Sequence, residues 1–446
     1  MKSKFFLSKH NRGSRPEVCP LSKSPRLLAV AAIAVLINMT ATAFSQKVYT
    51  WTGGGGPANQ QWSKNNNWFG VGAPSDYTTN SFVFGGAWRE FAPDNDRLGL
   101  AAASIVFATN ASTNTQSYSL TGNTISLVGG VTNLSTRWHT ISLGLVLATN
   151  AVNFDTASNN LTLAGVISGT GTLVKSGAHT LFLAAANNYS GGTLVRAGTI
   201  SGDTASIRGN VTNNGTVIFD QTTNGIYASV MTGTGTLRKS NAGMLTLSAL
   251  NTFTGALQVQ GGTVELAAAS GAAAGSATQI AISGGARLLL SHSQQVNDAA
   301  SVTLSGGTII RATGVSEIFG NLNLTQASFL DFGTGAPGAL EFGSYTPGAL
   351  LTVNNFFTGN VLSFKSDLSS TIGNNNLFKF DGAFASVWNA GAGTFTITAI
   401  PEPAAFAASA GLFCLLLWPS RRFVRDVQRV IGLRLPMRDR LAARRR

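Results

Sequence analysis

The stretch "GTGTLVKSGAHTLFLAAANNYSGGTLVRAGTI", residues 169–200, decides the fold. Short segments within it, such as "GTLVKS" and "TLFLA", alternate apolar and small polar residues, and Gly or Asn bounds each segment. Alternation with a period of two indicates half-buried β-strands separated by turns. No segment has a helical period long enough for a crossover helix. The stretch therefore predicts short strands joined at tight corners.

A second copy of this stretch follows later in the chain. Residues 233–264, "GTGTLRKSNAGMLTLSALNTFTGALQVQGGTV", align with residues 169–200 without a gap. The matching pairs are Lys175 and Lys239, Asn187 and Asn251, Tyr189 and Phe253, Gly191 and Gly255, and Gly198 and Gly262. A match of this length within one chain indicates an internal repeat.

Two all-β architectures are compatible with helix-free repeats. A sandwich would need hairpin turns such as Asn-Gly at its connections. A parallel β-solenoid would need about three short strands per coil, with coils of about 21 residues stacked on one another. Stacking brings like residues to about 4.8 Å of each other, which suits Thr, Ser, Asn and Gly and disfavours charge. Only 11% of the residues are charged, which favours the solenoid.

The segment "GVISGTGTLVKSG…TLFLAAANNYSGGTLVRAGTI" resembles the autotransporter-associated β-strand repeat. The likeness is clearest over residues 161–200 and 226–266, with Ala185 and Ala256 at positions where the repeat usually has glycine. The resemblance implies a right-handed parallel β-helix in an exported bacterial protein, and it does not imply an enzyme. We therefore predict a β-helix over residues 111–398.

The repeated residues are assigned structural roles. Gly191 and Gly255 are expected to be turn residues with φ > 0, and Tyr189 and Phe253 to be apolar plugs beside the turn. The remaining repeated structural positions are Asn187, Asn251, Gly192, Gly198 and Gly262. Because Gly192 corresponds to Ala256 in the second copy, the glycine pair is not expected to be a phosphate-binding loop.

The net charge of +13 lies at the two ends of the chain. Residues 1–26 hold seven basic residues and one acidic residue, and residues 419–446 hold ten arginines and two acidic residues. The chain between them carries 14 basic and 15 acidic residues and is close to neutral. A nucleic-acid partner requires a basic face on the folded part. The charge distribution therefore excludes that class of partner.

The N-terminal end has the order of a secretory signal peptide. A basic leader precedes the apolar run "LLAVAAIAVLI", residues 27–37, and the small residues "MTATAFSQ" follow. We predict residues 1–43 to be the signal peptide, cleaved by signal peptidase between Ala43 and Phe44. Cleavage after Ser45 and an uncleaved anchor are the alternatives. Cys19 and Cys414 lie in the two ends, so no disulfide is expected in the exported part.

The C-terminal end, residues 399–446, resembles a PEP-CTERM sorting signal. Its elements are Pro401, Glu402 and Pro403, then an apolar stretch predicted to be a single transmembrane helix, then Arg421 and Arg422. The resemblance implies processing by a membrane-embedded exosortase-type enzyme, transient anchoring in the inner membrane, and association with extracellular polysaccharide. The long arginine-rich tail after Arg422 departs from the usual form, and a plain tail anchor is the alternative.

Residues 44–110 are predicted to form a Trp-rich β cap. A solenoid has an open edge and an exposed core at its first coil, and aromatic side chains can close it. Four of the chain's seven tryptophans lie here, among them Trp62 and Trp68. The functional alternative is a glycan-binding platform, because tryptophan faces stack on pyranose rings.

The sequence predicts no catalytic residue, metal site or cofactor. Asp94, Asn95 and Asp96 are interpreted as a solvated turn rather than a calcium loop, because the following Gly and distal Glu are missing. His139 and His179 are interpreted as surface or coil-edge residues. The acidic residues of the strand region are isolated in sequence: Asp155, Asp203, Asp220, Glu265 and Asp298. The prediction is an exported structural or adhesin-like surface protein, with a β-helix lyase or glycosidase as the enzymatic alternative.

Overall fold

The computed structural model describes residues 47–70, 72–74, 80–85, 91–109, 117–372 and 377–400. The predicted signal peptide lies outside these residues, as does the predicted sorting signal from residue 401 onward. The chain divides into two compact units. Unit 1 comprises Met1–Gln221 and Ser229–Arg238, and unit 2 comprises Thr222–Ala228 and Lys239–Arg446. Each unit is considered by itself below.

The described residues form 36 β-strands and one 3-10 helix, Asn65–Asn67. The first eighteen strands are β1 Val48–Trp51, β2 Trp68–Phe69, β3 Asn80–Phe84, β4 Asp94–Asn95, β5 Ala101–Phe107, β6 Ser119–Gly122, β7 Ile125–Asn133, β8 His139–Ile141, β9 Leu145–Leu147, β10 Ala151–Asp155, β11 Leu161–Leu163, β12 Ile167–Gly169, β13 Thr172–Ser176, β14 Thr180–Leu183, β15 Thr193–Val195, β16 Thr199–Gly202, β17 Val211–Asn213 and β18 Thr216–Asp220. The others are β19 Gly225–Tyr227, β20 Met231–Thr232, β21 Thr236–Ser240, β22 Met244–Leu247, β23 Ala256–Val259, β24 Thr263–Leu266, β25 Gln279–Ser283, β26 Arg287–Leu290, β27 Ser301–Ser305, β28 Thr308–Arg311, β29 Glu317–Gln326, β30 Ser328–Asp331, β31 Ala339–Thr346, β32 Leu351–Asn354, β33 Val361–Phe364, β34 Phe378–Phe380, β35 Phe384–Asn389 and β36 Thr394–Ala399.

Unit 1 contains two ladders of parallel strands. One is a 12-stranded sheet in the order β2-β1-β3-β5-β7-β10-β13-β15-β17-β20, with β9 pairing β7 and β12 pairing β9. The other runs β4-β6-β8-β11-β14-β16-β18. The pairing of β1 with β2 is antiparallel, at the N-terminal end of the first ladder.

The register of the ladders identifies a solenoid. Val152 pairs with Leu173 of the following coil, and Leu173 pairs in turn with Thr193 of the coil after that. Parallel pairing at an interval of about one coil is the geometry of a β-solenoid, since a sandwich would pair neighbouring strands antiparallel. The predicted parallel β-solenoid is confirmed, and the spacing of these paired residues is close to the expected coil length.

The predicted number of about three strands per coil is correct for one coil of the clearest repeat and wrong for the next. Three strands, β10, β11 and β12, precede β13, which pairs with β10. One strand of each ladder, β13 and then β14, is followed by the next coil's β15. The residues between β14 and β15 form a corner without a strand. Backbone groups at this corner bond to β12 of the preceding coil: Asn188 N donates to Ile167 O at 2.9 Å and Ser190 N to Gly169 O at 3.0 Å.

Unit 2 also contains two ladders of strands. An eight-stranded parallel sheet runs β19-β22-β24-β26-β28-β30-β32-β34. The other ladder runs β23-β25-β27-β29-β31-β33 and ends in antiparallel strands, with β36 pairing β33 and β35 pairing β36. Antiparallel strands at such an end occupy backbone groups that another parallel coil would otherwise pair.

The core is built by the period-two alternation of the strands. In β11, Leu161 and Leu163 are buried and Thr162 between them is half-buried. Leu161 pairs with Leu181, so inward-facing residues of successive coils stack on one another. Burying an aliphatic side chain stabilises the fold by about 1.5–3 kcal/mol. The stacked apolar rows therefore supply the main stabilisation of each unit.

Within residues 47–400, as far as they are described, no helix is long and apolar enough to cross a membrane. The apolar stretch predicted to be a transmembrane helix belongs to residues 401–446, outside the described part.

Candidate functional site

The most regular chemical feature of the repeats is a buried lysine. Lys175 and Lys239 occupy equivalent positions and are both fully buried. Lys175 Nζ donates hydrogen bonds to Ser176 O at 2.6 Å, Gly177 O at 2.8 Å and Ala197 O at 3.1 Å. Three backbone carbonyls match the three N–H donors of an ammonium group. We call this arrangement the lysine corner.

The second copy has the same lysine corner. Lys239 Nζ donates to Ser240 O at 2.6 Å, Asn241 O at 2.7 Å and Gly261 O at 3.3 Å. Each acceptor is the residue that corresponds to the acceptor in the first copy. The interaction is therefore a property of the repeat.

A left-handed turn follows each of these lysines. Gly177 has φ of 76° and the equivalent Asn241 has φ of 63°. Glycine and asparagine are the residues that adopt this conformation most readily. The turn folds the chain back immediately after the lysine, so that the carbonyls of the next two residues face its ammonium group.

Gly198 makes room for the ammonium group of the first corner. Its φ is 66°, and an added Cβ would lie 2.7 Å from Lys175 Nζ and 2.7 Å from His179 O. Burial lowers the pKa of Lys175 to about 8, and the nearby carboxylate of Asp155 opposes that shift. At neutral pH the side chain is therefore mostly the ammonium ion that three carbonyl acceptors require.

In both copies, a buried asparagine forms hydrogen bonds to backbone groups at the corner that follows the second strand. Asn187 is buried, its Oδ1 accepts from Ile167 N at 2.8 Å, and its Nδ2 donates to Ser206 O at 2.9 Å. Asn251 is also buried and donates from Nδ2 to Ala273 O at 2.8 Å. These amides satisfy backbone groups that the strands do not pair.

The residue two positions after this asparagine is buried in both copies, in agreement with the plug role. Tyr189 Oη lies 2.8 Å from Thr193 Oγ1 and accepts a hydrogen bond from Arg208 N at 3.1 Å. Burial raises the pKa of Tyr189, while its bond to Thr193 lowers it. In the second copy Phe253 and Leu257 stand at the positions of Tyr189 and Thr193, and both are fully buried. The hydrogen-bonded pair Tyr189 and Thr193 of the first copy is thus replaced by two apolar residues in the second.

Replacing Tyr189 with phenylalanine removes the acceptor of Arg208 N without opening a cavity. We expect Tyr189→Phe to lower the free energy of unfolding by about 1 kcal/mol, the net value of a hydrogen bond. Urea denaturation monitored by circular dichroism measures the change. An unchanged unfolding midpoint would show that the hydroxyl does not contribute.

The prediction for the glycine pair is wrong in detail. Positive φ falls on Gly192, at 79°, and not on Gly191 or Gly255. Gly191 is required for a different reason, because an added Cβ would lie 2.6 Å from both Thr170 O and Gly171 O of the preceding coil. In the second copy strand β23 already begins at Ala256, so no left-handed residue is needed there. Positive φ is shared between the two copies by Gly198 and Gly262, and also by Gly169 and Gly233.

The N-terminal aromatic residues form one packed cluster. Trp62 has no exposed surface and Trp68 is 4% exposed. Trp68 contacts Trp51, Trp62 and Phe82 with ring centroids 5.1, 5.4 and 5.8 Å apart, and its Nε1 donates to Trp62 O at 2.8 Å. A pyranose could stack on either indole only by displacing these rings. The burial therefore supports the cap role and speaks against glycan stacking at Trp62 and Trp68.

Unit 2 contains a buried arginine that the sequence did not reveal. Arg311 is fully buried at the end of β28. Its Nη1 donates to Ala312 O at 3.0 Å, its Nη2 to Asn360 Oδ1, and its guanidinium lies 5.2 Å from the ring centroid of Phe332. Asn360 also accepts from Gly338 N at 3.1 Å. Like the two lysines, Arg311 is a buried cation that donates hydrogen bonds to oxygen atoms at a corner of the solenoid.

A buried carboxylate lies in the same unit. Glu317 accepts hydrogen bonds from Gln295 N at 2.7 Å and Val296 N at 3.3 Å. Gln295 is itself fully buried and donates to Gly271 O at 2.9 Å. Burial raises the pKa of Glu317 to about 7, and the charge of Asp298 raises it further, while the backbone hydrogen bonds oppose the shift.

The raised pKa of Glu317 predicts a pH-dependent stability. A carboxyl whose pKa rises from 4.5 to about 7 on folding binds a proton more tightly in the folded state. Its stabilising effect is fully present below pH 4.5 and is lost as pH rises through about 7. We expect the free energy of unfolding to fall over this range by about 3 kcal/mol. Denaturant titrations at a series of pH values measure the slope.

Two variants separate Glu317 from other titrating groups. Glu317→Gln cannot titrate and should flatten this part of the pH profile. Glu341→Gln, at a carboxylate that pairs with the exposed Lys365 at 3.0 Å, should keep it. A slope that persists in Glu317→Gln would assign it to another residue.

The described acidic and histidine side chains form no metal-binding cluster. Among the described parts of the chain, no group of three or more His, Cys, Asp or Glu side chains could hold a metal ion. Asp94 and Asn95 form strand β4 rather than the predicted solvated turn. Asn95 is fully buried, and Asp96 accepts from Ser63 N at 2.8 Å. These side chains thus serve local structure.

Of the two positions predicted for His139, surface or coil edge, the surface position is wrong, because His139 is the buried first residue of β8. Its ring is buried and stacks on Phe107 with centroids 4.3 Å apart, and its Nδ1 accepts from Tyr118 N at 2.9 Å. Burial lowers the pKa of His139 to about 4, so the ring is neutral near pH 7. His179 is exposed, as expected.

With this geometry established, comparison with known families assigns the repeats. The family described as the passenger-associated-transport-repeat matches residues 173–201 and 237–266. The chain carries autotransporter-type passenger repeats. Each matched segment contains one lysine corner, one buried asparagine, and one of the equivalent positive-φ glycines Gly198 and Gly262. The family pattern and the repeated interactions therefore coincide.

A curated relative extends the likeness beyond the passenger repeats. The chain is 34% identical over 223 residues to the adhesin BmaC autotransporter of Brucella suis biovar 1 (strain 1330). The matched region is 49% of this chain and 6% of that relative, so the chain spans a small part of the adhesin. No solved structure gives a significant match.

Proposed function

We propose that the protein is an exported, adhesin-like structural protein of a bacterial cell surface or extracellular matrix. The observation that carries the proposal is the burial of three pairs of equivalent side chains in the passenger repeats. Lys175 and Lys239, Asn187 and Asn251, and Tyr189 and Phe253 are all buried. Their shared interactions maintain the shape of the coil and leave its outer face free to differ from one coil to the next. The similarity to part of an adhesin agrees with this.

We further propose that each solenoid is right-handed, as the resemblance to the repeat family implies, and that the protein is not an enzyme. A lyase or glycosidase would depend on acidic residues, and some of the acidic residues here accept hydrogen bonds from neighbouring coils. Glu265, for example, accepts from Thr246 Oγ1 at 2.7 Å and Ser291 Oγ at 2.6 Å. No observation favours glycosidase chemistry over this role.

Export and sorting remain predictions from the ends of the sequence. We propose that signal peptidase cleaves between Ala43 and Phe44. We also propose that an exosortase-type enzyme acts on the signal made of Pro401, Glu402, Pro403, an apolar helix, and Arg421 with Arg422. The order of these elements supports the proposal. The helix would hold the protein in the inner membrane until processing, and extracellular polysaccharide is the proposed surrounding partner.

The adhesive role is tested with cells that produce the protein. A strain lacking the gene should attach less to surfaces or to its own matrix, and a plasmid copy should restore attachment. Equal attachment of the two strains would contradict the adhesive role. Mass spectrometry of the mature C-terminus tests sorting separately, because an intact tail through Arg446 would reject processing at the signal.

A further inference from the structure

One aromatic pair on the outer face of unit 1 is not explained by the solenoid core. Trp138 is 46% exposed, and its ring stacks on Phe182 with centroids 4.9 Å apart and an interplanar angle of 19°. Trp138 precedes β8 and Phe182 lies in β14, so the indole reaches across the intervening strand β11. Exposing a large aromatic ring has a cost in water that core packing does not require.

The indole is held in a fixed orientation. Trp138 Nε1 donates to Thr162 Oγ1 at 2.8 Å. The hydroxyl of Thr162 accepts this bond and retains its own hydrogen to donate. Because stacking on Phe182 and this hydrogen bond both restrain the ring, little conformational entropy is lost when a ligand settles on it.

Two outward-facing rows of mostly hydroxylated residues lie beside the pair. One outward-facing row consists of Ser119, Thr140, Thr162 and Phe182, which pair in register from strand to strand. Next to it, Thr180, Thr199 and Thr216 form a second row, on the side where Trp138 lies. All of these residues except Trp138 are half-buried, and neither row contains a charged side chain.

We propose that Trp138 and Phe182 form a binding platform for a neutral polysaccharide. The C–H bonds of a pyranose ring present weakly positive hydrogens, which the negative face of an aromatic ring attracts. The threonine and serine hydroxyls beside the pair can donate to and accept from sugar hydroxyls. Strands about 4.8 Å apart repeat these hydroxyls along the ladder, which suits a chain of sugars. The absence of charge in the two rows disfavours anionic glycans.

This proposal deepens the adhesin-like function by naming its ligand class, and it rests on that function for its biological meaning. It places the glycan-binding surface at Trp138, and not at Trp62 and Trp68. The buried Trp62 and Trp68 do not offer a face to a sugar, whereas Trp138 combines exposure with an aromatic neighbour and hydroxyl groups.

The test measures binding of the full chain to cellohexaose as a neutral probe and to hexagalacturonate as an anionic probe, by isothermal titration calorimetry. Cellohexaose should bind with millimolar or better affinity, and hexagalacturonate should bind at least about tenfold more weakly. Trp138→Ala should weaken cellohexaose binding at least about tenfold, and Thr162→Val by a smaller factor of about three, because the ring remains but is less restrained.

Phe329→Ala is the matched control, since Phe329 is an aromatic residue of unit 2 that is 40% exposed. It should bind cellohexaose like the unaltered chain. Thermal unfolding of each variant verifies that the fold is retained, and Trp138→Phe, which keeps a ring, should recover part of any affinity lost in Trp138→Ala. Unchanged binding by Trp138→Ala, or stronger binding of hexagalacturonate than of cellohexaose, would overturn the platform.

The attachment assay separates failure of this proposal from failure of the proposed function. If gene deletion reduces attachment but the unaltered chain does not bind cellohexaose, the platform is rejected and the adhesive role stands. If cellohexaose binds through Trp138 but deletion leaves attachment unchanged, the platform stands and the adhesive role is rejected.

Discussion

Replacing Lys175 with methionine is expected to lower the free energy of unfolding by about 3 kcal/mol. Methionine fills a similar volume but donates no hydrogen bond, so Gly177 O and Ala197 O lose the donor that Lys175 Nζ supplies. An unsatisfied buried polar group costs about 1–3 kcal/mol. Ser176 O is less affected, because it also accepts from Thr156 N at 3.0 Å. Urea denaturation monitored by circular dichroism gives the change.

Replacing a buried charged residue with an apolar one does not always destabilise a protein. A buried charge paired with another side chain can often be replaced by apolar residues without loss of stability. In the lysine corner the partners are backbone carbonyls, which no side-chain substitution removes. Lys239→Met should therefore behave like Lys175→Met, since Lys239 has three equivalent acceptors.

Lys365→Met is the matched control. Lys365 is 57% exposed and pairs with Glu341 at 3.0 Å, and an exposed ion pair contributes about 0–1 kcal/mol. If Lys175→Met were as stable as Lys365→Met, the lysine corner would not stabilise the repeat.

The second large effect is expected in the N-terminal aromatic cluster. Trp68→Ala should lower the free energy of unfolding by about 3–5 kcal/mol, the usual range for an aromatic residue truncated in a core. Trp68 is 4% exposed and packs edge-on against Trp51 and Trp62. The substitution would leave a cavity beside the first strands of unit 1. Thermal and urea unfolding of the variant measure the loss.

The neighbouring residue provides the control for Trp68. Phe69 follows it in β2 but is 68% exposed. Phe69→Ala should change the free energy of unfolding by less than about 0.5 kcal/mol. A loss below about 1 kcal/mol for Trp68→Ala would mean that the cluster does not close the core of unit 1.

The solenoid architecture could be predicted from the sequence because it depends on local patterns of residues. Alternation in segments such as "TLFLA" gives the strands, and the gap-free match that aligns Lys175 with Lys239 gives the repetition. Like residues in like positions then require parallel stacking. The burial of tryptophans near the N-terminus was accessible for a related reason, since an open first coil needs apolar cover.

The burial of the lysines was not accessible in this way. A lysine in an alternating strand is ordinarily interpreted as an outward-facing residue. Lys175 is buried because the left-handed turn at Gly177 brings carbonyls to its ammonium group, and one acceptor, Ala197, lies 22 residues away. The recurrence of Lys-Ser before a Gly or Asn is the sequence signal that could have indicated it.

Arg311, Glu317 and the exposed pair Trp138 and Phe182 depend on partners in other coils. Arg311 reaches Asn360, 49 residues away, and Trp138 bonds to Thr162, 24 residues away. Such contacts follow from the register between coils, which periodicity alone does not fix. The left-handed position in the glycine pair was misplaced for the same reason, because contact with Thr170 and Gly171 of the preceding coil determines the role of Gly191.

The central claim is that this β-solenoid is displayed outside the cell, and protease treatment of intact cells tests it most directly. Protease added to intact cells should cleave the protein, with immunodetection following its loss and a cytoplasmic protein remaining intact as the control. Peptides released into the medium should come from residues 44–400. Complete protection in intact cells, with cleavage only after the cells are lysed, would contradict the account.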